Sequence, residues 1–261
     1  MSPLANSDDL PGLRDYSGKQ SHSKGVDEIL DVVHKLAAAQ IPSCVVGVKA
    51  LFYYGANRIT NEWDLCIPDE KIEEAKTLLL SPNDGTKYEV ATPPPPVPWS
   101  RRHVFPCLRL KGFNFWFILV SSSDCLVDPS VPDHVERSRS GVPYASLVQF
   151  ARSLLVQQLR HDVTDLVDGM NLHIDWGMQH IGFDALQKES AKFIDLRNRR
   201  VKEAGDGYGF CSPMNLEQLW RDLANEEAKK RRIEPMKKSR YLTRWQRIKD
   251  PRDPREKDRP V

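Results

Sequence analysis

Several absences narrow what this chain of 261 residues can be. No apolar run approaches the roughly 20 residues that span a bilayer; the longest are the size of FWFILV at 115–120. The opening MSPLANSDDLPGLRDYSG has no apolar core of the kind a signal peptide needs, so the expected location is cytoplasmic or nuclear, with no membrane as partner. The five cysteines, Cys44, Cys66, Cys107, Cys125 and Cys211, include no C-x-x-C and no His at metal-ligand spacing. That argues for reduced, structural thiols and against a zinc site or a disulfide framework. His134, His161, His173 and His180 show no ligand spacing either, and neither G-x-S-x-G nor G-x-x-x-x-G-K-[ST] occurs, which removes the common serine-hydrolase and P-loop solutions. Acid is missing over a long stretch: no Asp or Glu lies between Glu89 and Asp124.

What is present fits a globular chain, 28% charged and 40% hydrophobic, large enough for one substantial domain and an accessory part. The formal charge of +2 hides a division. Residues 229–261 carry 14 Lys or Arg against 5 Asp or Glu, a net of +9, which leaves −7 for residues 1–228. An acidic body is joined to a basic tail.

Residues 1–23 are rich in Ser, Asp, Gly and Pro and read as a flexible N-terminus. From Val26 to Gln40 apolar residues recur at helical spacing, and Pro42 ends the helix. SCVVGV (43–48) then reads as a strand, Lys49–Tyr54 as a short helix stopped by Gly55, ITNEWDLCI (59–67) as a second strand, and Asp69–Leu80 as another helix. The run PPPPVP at 93–98 lacks most backbone donors and predicts a stiff polyproline connector. FPCLRL (105–110), the turn Lys111-Gly112 and FNFWFILV (113–120) predict a buried hairpin extending the sheet. From Pro143 onward the pattern is helical, with a break near Arg160-His161 and further helices at about 179–203 and 214–233. The expected architecture is therefore a mixed α/β unit at 24–125, an α-helical unit at 143–233 and a basic, disordered tail at 234–261.

Chemistry concentrates between Val45 and Leu65. Side chains at i and i+2 of a strand share a face, so Glu62 and Asp64 stand together while Trp63 points the other way. Two neighbouring carboxylates on a rigid strand suit Mg²⁺, which takes one or two carboxylates plus substrate phosphates. Gly47, between strand and helix, is where a phosphate can approach backbone N–H groups.

This segment resembles the nucleotidyltransferase superfamily, whose pattern is a strand ending in Gly-Gly or Gly-Ser, a short helix closed by glycine, and Arg-x-Thr-x-Asp-x-Asp on the next strand. The matching positions are Gly47, Ala50, Gly55, Arg58, Thr60, Glu62 and Asp64, and a weaker match continues through 141–170, where Arg160, Asp162 and Asp165 form an R-x-D-x-x-D turn. The resemblance implies a nucleotidyltransferase-like α/β (α+β) mixed sheet with flanking helices. It also implies Glu62 and Asp64 as catalytic metal ligands for Mg²⁺, and Gly47, Val48, Lys49 and Arg58 at a nucleoside triphosphate. The reaction would be transfer of a nucleoside monophosphate to an unknown hydroxyl acceptor.

Three departures qualify the match. Val48 replaces the usual Ser or Gly, Glu62 replaces the usual Asp, and the strand that should supply a third carboxylate offers only Asn114, with Asp124 just beyond it. The alternative is a degenerate, non-catalytic module that binds nucleotide or protein on the same scaffold. For single residues other readings stay open. Arg58 can pair with Glu62 and Asp64 instead of phosphate, Lys49 can be a solvated side chain, and Asp162 and Asp165 can be a helix-start arrangement. The tail, with Tyr241 and Trp245 among arginines, reads as a nucleic-acid contact, as a nuclear-import address through Lys229–Arg232 and Lys237-Lys238, or as a solvated end.

Overall fold

The computed structural model describes residues 19, 25–58, 60–82, 87–97, 100–203, 210–233 and 242–256. Seven strands form one mixed sheet in the order β3-β4-β5-β2-β1-β7-β6. They are β1 (Cys44–Val46), β2 (Glu62–Ile67), β3 (Tyr88–Val90), β4 (Cys107–Leu110), β5 (Trp116–Ser121), β6 (Val135–Arg137) and β7 (Pro143–Ala145). The helices are α1 (Val26–Ala38), α2 (Gly47–Tyr53), α3 (Ile72–Leu79), α4 (Ser122–Cys125), α5 (Leu147–Val156), α6 (Arg160–Met170), α7 (Ile174–His180), α8 (Phe183–Glu203), α9 (Leu216–Ala224), α10 (Glu226–Ile233) and α11 (Thr243–Lys249). This is the expected class, a mixed sheet with flanking helices followed by a helical part. No helix of the described residues is long and apolar enough to cross a membrane.

β5 is buried at every position, which explains its unbroken apolar run: it lies between β4 and β2 and meets side chains on both faces. It pairs antiparallel with β4, as the expected hairpin does, and parallel with β2. β1 and β2 are antiparallel in a register that sets Val46 opposite Asp64. The end of β1, the start of α2 and the acidic pair of β2 therefore converge at one end of the sheet.

Two expected boundaries shift. β7 pairs parallel with β1, and β6 with β7, so residues 135–145 belong to the sheet and the α/β unit does not close at 125. The expectation of helix from Pro143 is corrected here: Pro143–Ala145 is a short buried strand whose partner is about a hundred residues away. The second correction concerns the tail. Residues 242–256 are not a disordered end: Thr243 and Pro254 are buried, and α11 packs on α6. Gly55, at φ +92°, leaves room for this segment, because a Cβ there would lie 2.6 Å from Pro254 and 2.8 Å from the Gly169 carbonyl. Residues 1–18, 20–24, 234–241 and 257–261 lie outside the described residues, as do Lys237-Lys238. Lys19 bridges to the β4–β5 turn, its N–H donating to the Gly112 carbonyl at 3.0 Å.

Candidate functional site

Where β1 ends beside the first half of β2, a cavity of about 700 Å³ is lined by residues of β1, β2 and β5 and of the helices α5 and α8. Its lining is mixed. Phe150 and Leu154 of α5 with Phe193 and Leu196 of α8 are apolar, and Arg58, Arg101, Arg102, Arg197 and Arg200 are cationic. Gly47, Val48, Asp64 and Pro94–Val97 line it as well. The proline connector is thus part of the cavity wall.

Glu62 and Asp64 do stand side by side, 14% and 13% exposed, as the strand alternation requires. Both are held by Arg102. Its Nε donates to Asp64 Oδ1 at 2.9 Å and one Nη donates to Glu62 Oε2 at 2.7 Å, lying also 2.7 Å from Asp64 Oδ1. Arg102 sits in a 3₁₀ turn, Arg102–Val104, just after the proline run, and its N–H donates to Ser100 Oγ at 3.3 Å. Burial pulls the Arg102 guanidinium down, but Asp64 and Glu62 more than offset this and its pKa rises. Asp64 lines the cavity; Glu62 is not among its lining residues.

Asp124, in the short α4, lines the same cavity. Arg101 donates to its two oxygens at 2.9 and 2.8 Å, and Arg200 to Oδ1 at 3.2 Å. Among the described residues no group of three or more His, Cys, Asp or Glu side chains is gathered as a metal site. Mg²⁺ demands near-ideal octahedral oxygens, whereas here the facing oxygens of both β2 carboxylates accept hydrogen bonds from a permanent cation. As arranged, these residues do not fit the metal.

Arg58 pairs elsewhere. It donates to Asp162 at 2.7 Å and to Asp165 at 2.5 Å, so the two acids three apart on α6 serve it and not the helix start, where no side chain caps. Burial raises the Asp162 carboxyl and Arg58 lowers it, with a net rise. Thr243 of the tail completes this cluster, accepting from the Asn57 N–H at 3.2 Å and donating to Asp165 Oδ1 at 3.0 Å. Lys49 is neither solvated nor on the cavity wall. It is buried, with Nζ 4.6 Å from the centroid of Trp63, which alternates to the opposite side of β2 from Glu62 and Asp64.

Gly47 carries φ +63°, and a Cβ there would collide with Asp64 Oδ2. Only glycine lets the β1–α2 turn pass this carboxylate. Cys44 and Cys66 face each other across β1 and β2, and hydrogen bonding with Cys125 and Cys44, then burial, pushes the Cys66 thiol well up. They are core thiols. The tail's cations are drawn into the fold as well: Arg232 binds Asp168, Arg255 binds Asp253 and lies 3.6 Å from Glu136, and Lys229 is buried against Glu226.

Sequence reasoning did not find Arg101, Arg102, Arg197 or Arg200. The signal for the first two was the acid-free stretch itself, since adjacent arginines with no local acid must find counter-charges in distant segments.

No protein-family description matches the chain, and no curated protein matches it. Several solved structures are similar. An antigenic nucleotidyltransferase-like protein from Paracoccidioides brasiliensis is 17% identical, over 75% of this chain and 98% of that one, at a TM-score of 0.40. The antibiotic-resistance factor ANT(2'')-Ia is 11% identical over 71% and 98%, at 0.37. JHP933 from Helicobacter pylori is 12% identical over 82% and 96%, at 0.35.

Proposed function

We propose that this chain is a nucleotidyltransferase-like binding module that holds a nucleoside triphosphate in the cavity without a divalent cation and without transferring it. The observation that carries the reading is the Arg102 bridge across Glu62 and Asp64. A guanidinium is permanently charged and forks onto two oxygens, so it takes the place and the lone pairs a metal would use. Three carboxylates at this sheet edge meet three guanidiniums, those of Arg101, Arg102 and Arg200. The edge is close to neutral, and a polyanion can approach it without a metal to cancel repulsion. A lining that combines aromatic and aliphatic side chains with several guanidiniums suits a ligand that carries both an apolar ring and phosphates.

Arg58, which lines the cavity, is held by Asp162 and Asp165 and is available to phosphate only by sharing its guanidinium. No acceptor site or transfer step is assigned, because the groups that would hold a metal are engaged. Calorimetric titration with each nucleoside triphosphate tests the reading. Binding in EDTA should be at least as tight as in Mg²⁺, with no pyrophosphate released. Binding that appears only with Mg²⁺, pyrophosphate release, or no binding at all refutes it.

A further inference from the structure

The disagreement between the acidic pair and a metal has a specific consequence. We infer that Arg102 is a built-in replacement for a divalent cation, and that its removal would expose a cation site at Glu62 and Asp64. The half of this inference that concerns nucleotide rests on the proposed function; the half that concerns metal does not.

Two carboxylates at i and i+2, both largely buried, repel each other unless a cation lies between them. In this chain the cation is Arg102, a cavity-lining residue 38 positions from Asp64 in sequence. Contacts before it in the chain set its approach: Pro94, Pro95, Pro96 and Val97 line the cavity, Val97 bridges to Ser100, and the Ser100 hydroxyl accepts the Arg102 N–H. Arg102 is therefore presented at the acidic pair by a short strap and does not swing in from a free surface. The neighbouring Arg101 is presented to Asp124 by the same strap, so consecutive residues neutralise carboxylates from two different elements, β2 and α4.

The charge count distinguishes this arrangement from a loaded metal site. With Arg102 in place, the carboxylates of Glu62, Asp64 and Asp124 and the guanidiniums of Arg101, Arg102 and Arg200 sum to zero, whereas a dication in place of Arg102, with Arg101 and Arg200 still on Asp124, would bring the sum to +1. The arginine set thus reaches neutrality with no metal bound. A dication cannot be added beside it without displacing Arg102, because the oxygens facing the guanidinium, Asp64 Oδ1 and Glu62 Oε2, already accept its hydrogen bonds. Removing the guanidinium leaves two oxygen donors on a rigid strand, next to the glycine turn at Gly47, which is a start for a hard cation with waters completing its shell.

The full-length protein and its Arg102→Met variant are titrated with Mn²⁺ alone and followed by electron paramagnetic resonance, with far-UV circular dichroism to establish folding. The wild type should leave Mn²⁺ free. R102M should bind one equivalent, Mg²⁺ should displace it, and adding D64N to R102M should abolish it. Nucleotide is then titrated in EDTA. R102M should bind about tenfold or more weakly than wild type, and Mn²⁺ should restore its affinity while leaving the wild type unchanged.

Stoichiometric Mn²⁺ on the wild type that D64N removes would overturn the inference, as would a folded R102M that takes up no Mn²⁺. Should R102M fail to fold, R102K serves: its compact ammonium cannot fork onto both acids, so it should bind Mn²⁺ more weakly than a bare pair and more tightly than wild type, and equality with wild type overturns the inference. A wild type that binds no nucleotide sinks the proposed function, while the Mn²⁺ measurement still decides whether Arg102 stands in for a cation.

Discussion

Arg232→Ala is the most demanding test of how the tail is built into the fold. Arg232 lies near the end of α10, and its guanidinium meets both oxygens of Asp168 at 2.9 and 2.6 Å while donating to the Leu223 carbonyl at 2.9 Å. The acid is 3% exposed and the arginine 20%, so water cannot replace the partner. Breaking such a pair from one side leaves a buried charge and costs about 3–5 kcal/mol. At about 2–4 °C per kcal/mol for a chain of this size, the melting temperature should fall on the order of 6–20 °C at neutral pH. The pH dependence sharpens the test. Burial holds the Asp168 carboxyl above its ordinary range, and Arg232 only partly counters that. A raised acid binds protons on folding, so its contribution to stability declines as pH rises through the window between the ordinary value, about 3.9, and the raised one. Without Arg232 the window widens upward. The variant's deficit should therefore be full at pH 7 and shrink steadily as pH falls toward that ordinary value, where a neutral carboxyl replaces the charge. Calorimetric melts of wild type, R232A, D168N and the double variant across this range decide it, with the double variant recovering part of the loss. A deficit at neutral pH of under about 2 °C, or one that does not shrink in acid, refutes the reasoning.

Three further outcomes follow from single contacts. Gly47→Ala should lower stability by about 1–2 kcal/mol from the left-handed backbone alone, and should also weaken nucleotide binding by forcing Asp64 off Arg102; melting and titration read the two effects. Lys49→Met should leave nucleotide affinity unchanged, because Lys49 lies over Trp63 and off the cavity wall, while the melting temperature and the Trp63 fluorescence shift. Thr243→Val removes one acceptor and one donor and should cost about 1 kcal/mol; a chain ending at residue 241 should lose more, and should bind nucleotide less well because Asp165 no longer holds Arg58 with help from the tail.

Much of the sheet was legible because its strands advertise their surroundings. The apolar runs around Cys44–Val46 and Trp116–Ser121 are buried throughout, and the Lys111-Gly112 turn fixes the hairpin. The amphipathic α1 follows its periodicity to within two residues, since nothing in the tertiary structure opposes it. β3, β6 and β7 escaped because three residues are too few to show alternation, and β7 owes its conformation to β1. α7 escaped because it is short and carries Gly177, whose place under Trp220 is fixed by packing and not by propensity. At the candidate site the positions of Gly47, Glu62 and Asp64 followed from local geometry. The partner of the acids did not: Arg102 is 38 residues from Asp64 in sequence, and the strap that delivers it has no periodicity. Lys49 was placed on the wrong side, although the alternation that sends Trp63 away from the acids already gave the site to which a buried cation could go.

The same long-range pairing bears on how the cavity can respond to its surroundings. Arg58 with Asp162 and Asp165, Arg102 with Glu62 and Asp64, Arg101 and Arg200 with Asp124, and Arg232 with Asp168 each join segments far apart in the chain. The basic tail and the acidic body are thus one electrostatic system, and the +9 of residues 229–261 is partly cancelled inside the fold. Arginine stays protonated at any physiological pH, so proton release from the guanidiniums cannot gate the cavity. Salt screens these pairs only in part, because the Asp64 and Asp124 carboxylates are 13% and 14% exposed while their arginine partners are 31–44% exposed. What remains is direct competition at the cavity. A polyanion uses the guanidiniums of Arg101, Arg102 and Arg200, and a dication competes with Arg102 for the acids. A polyanion that binds with Arg102 in place keeps the guanidinium on Glu62 and Asp64 and so opposes cation uptake, and a cation that displaced Arg102 would remove a contact the polyanion uses. Neither can raise the affinity for the other in the wild type, and by reciprocity any coupling there is unfavourable and equal in both directions, so a cation should strengthen nucleotide binding only where Arg102 has been replaced.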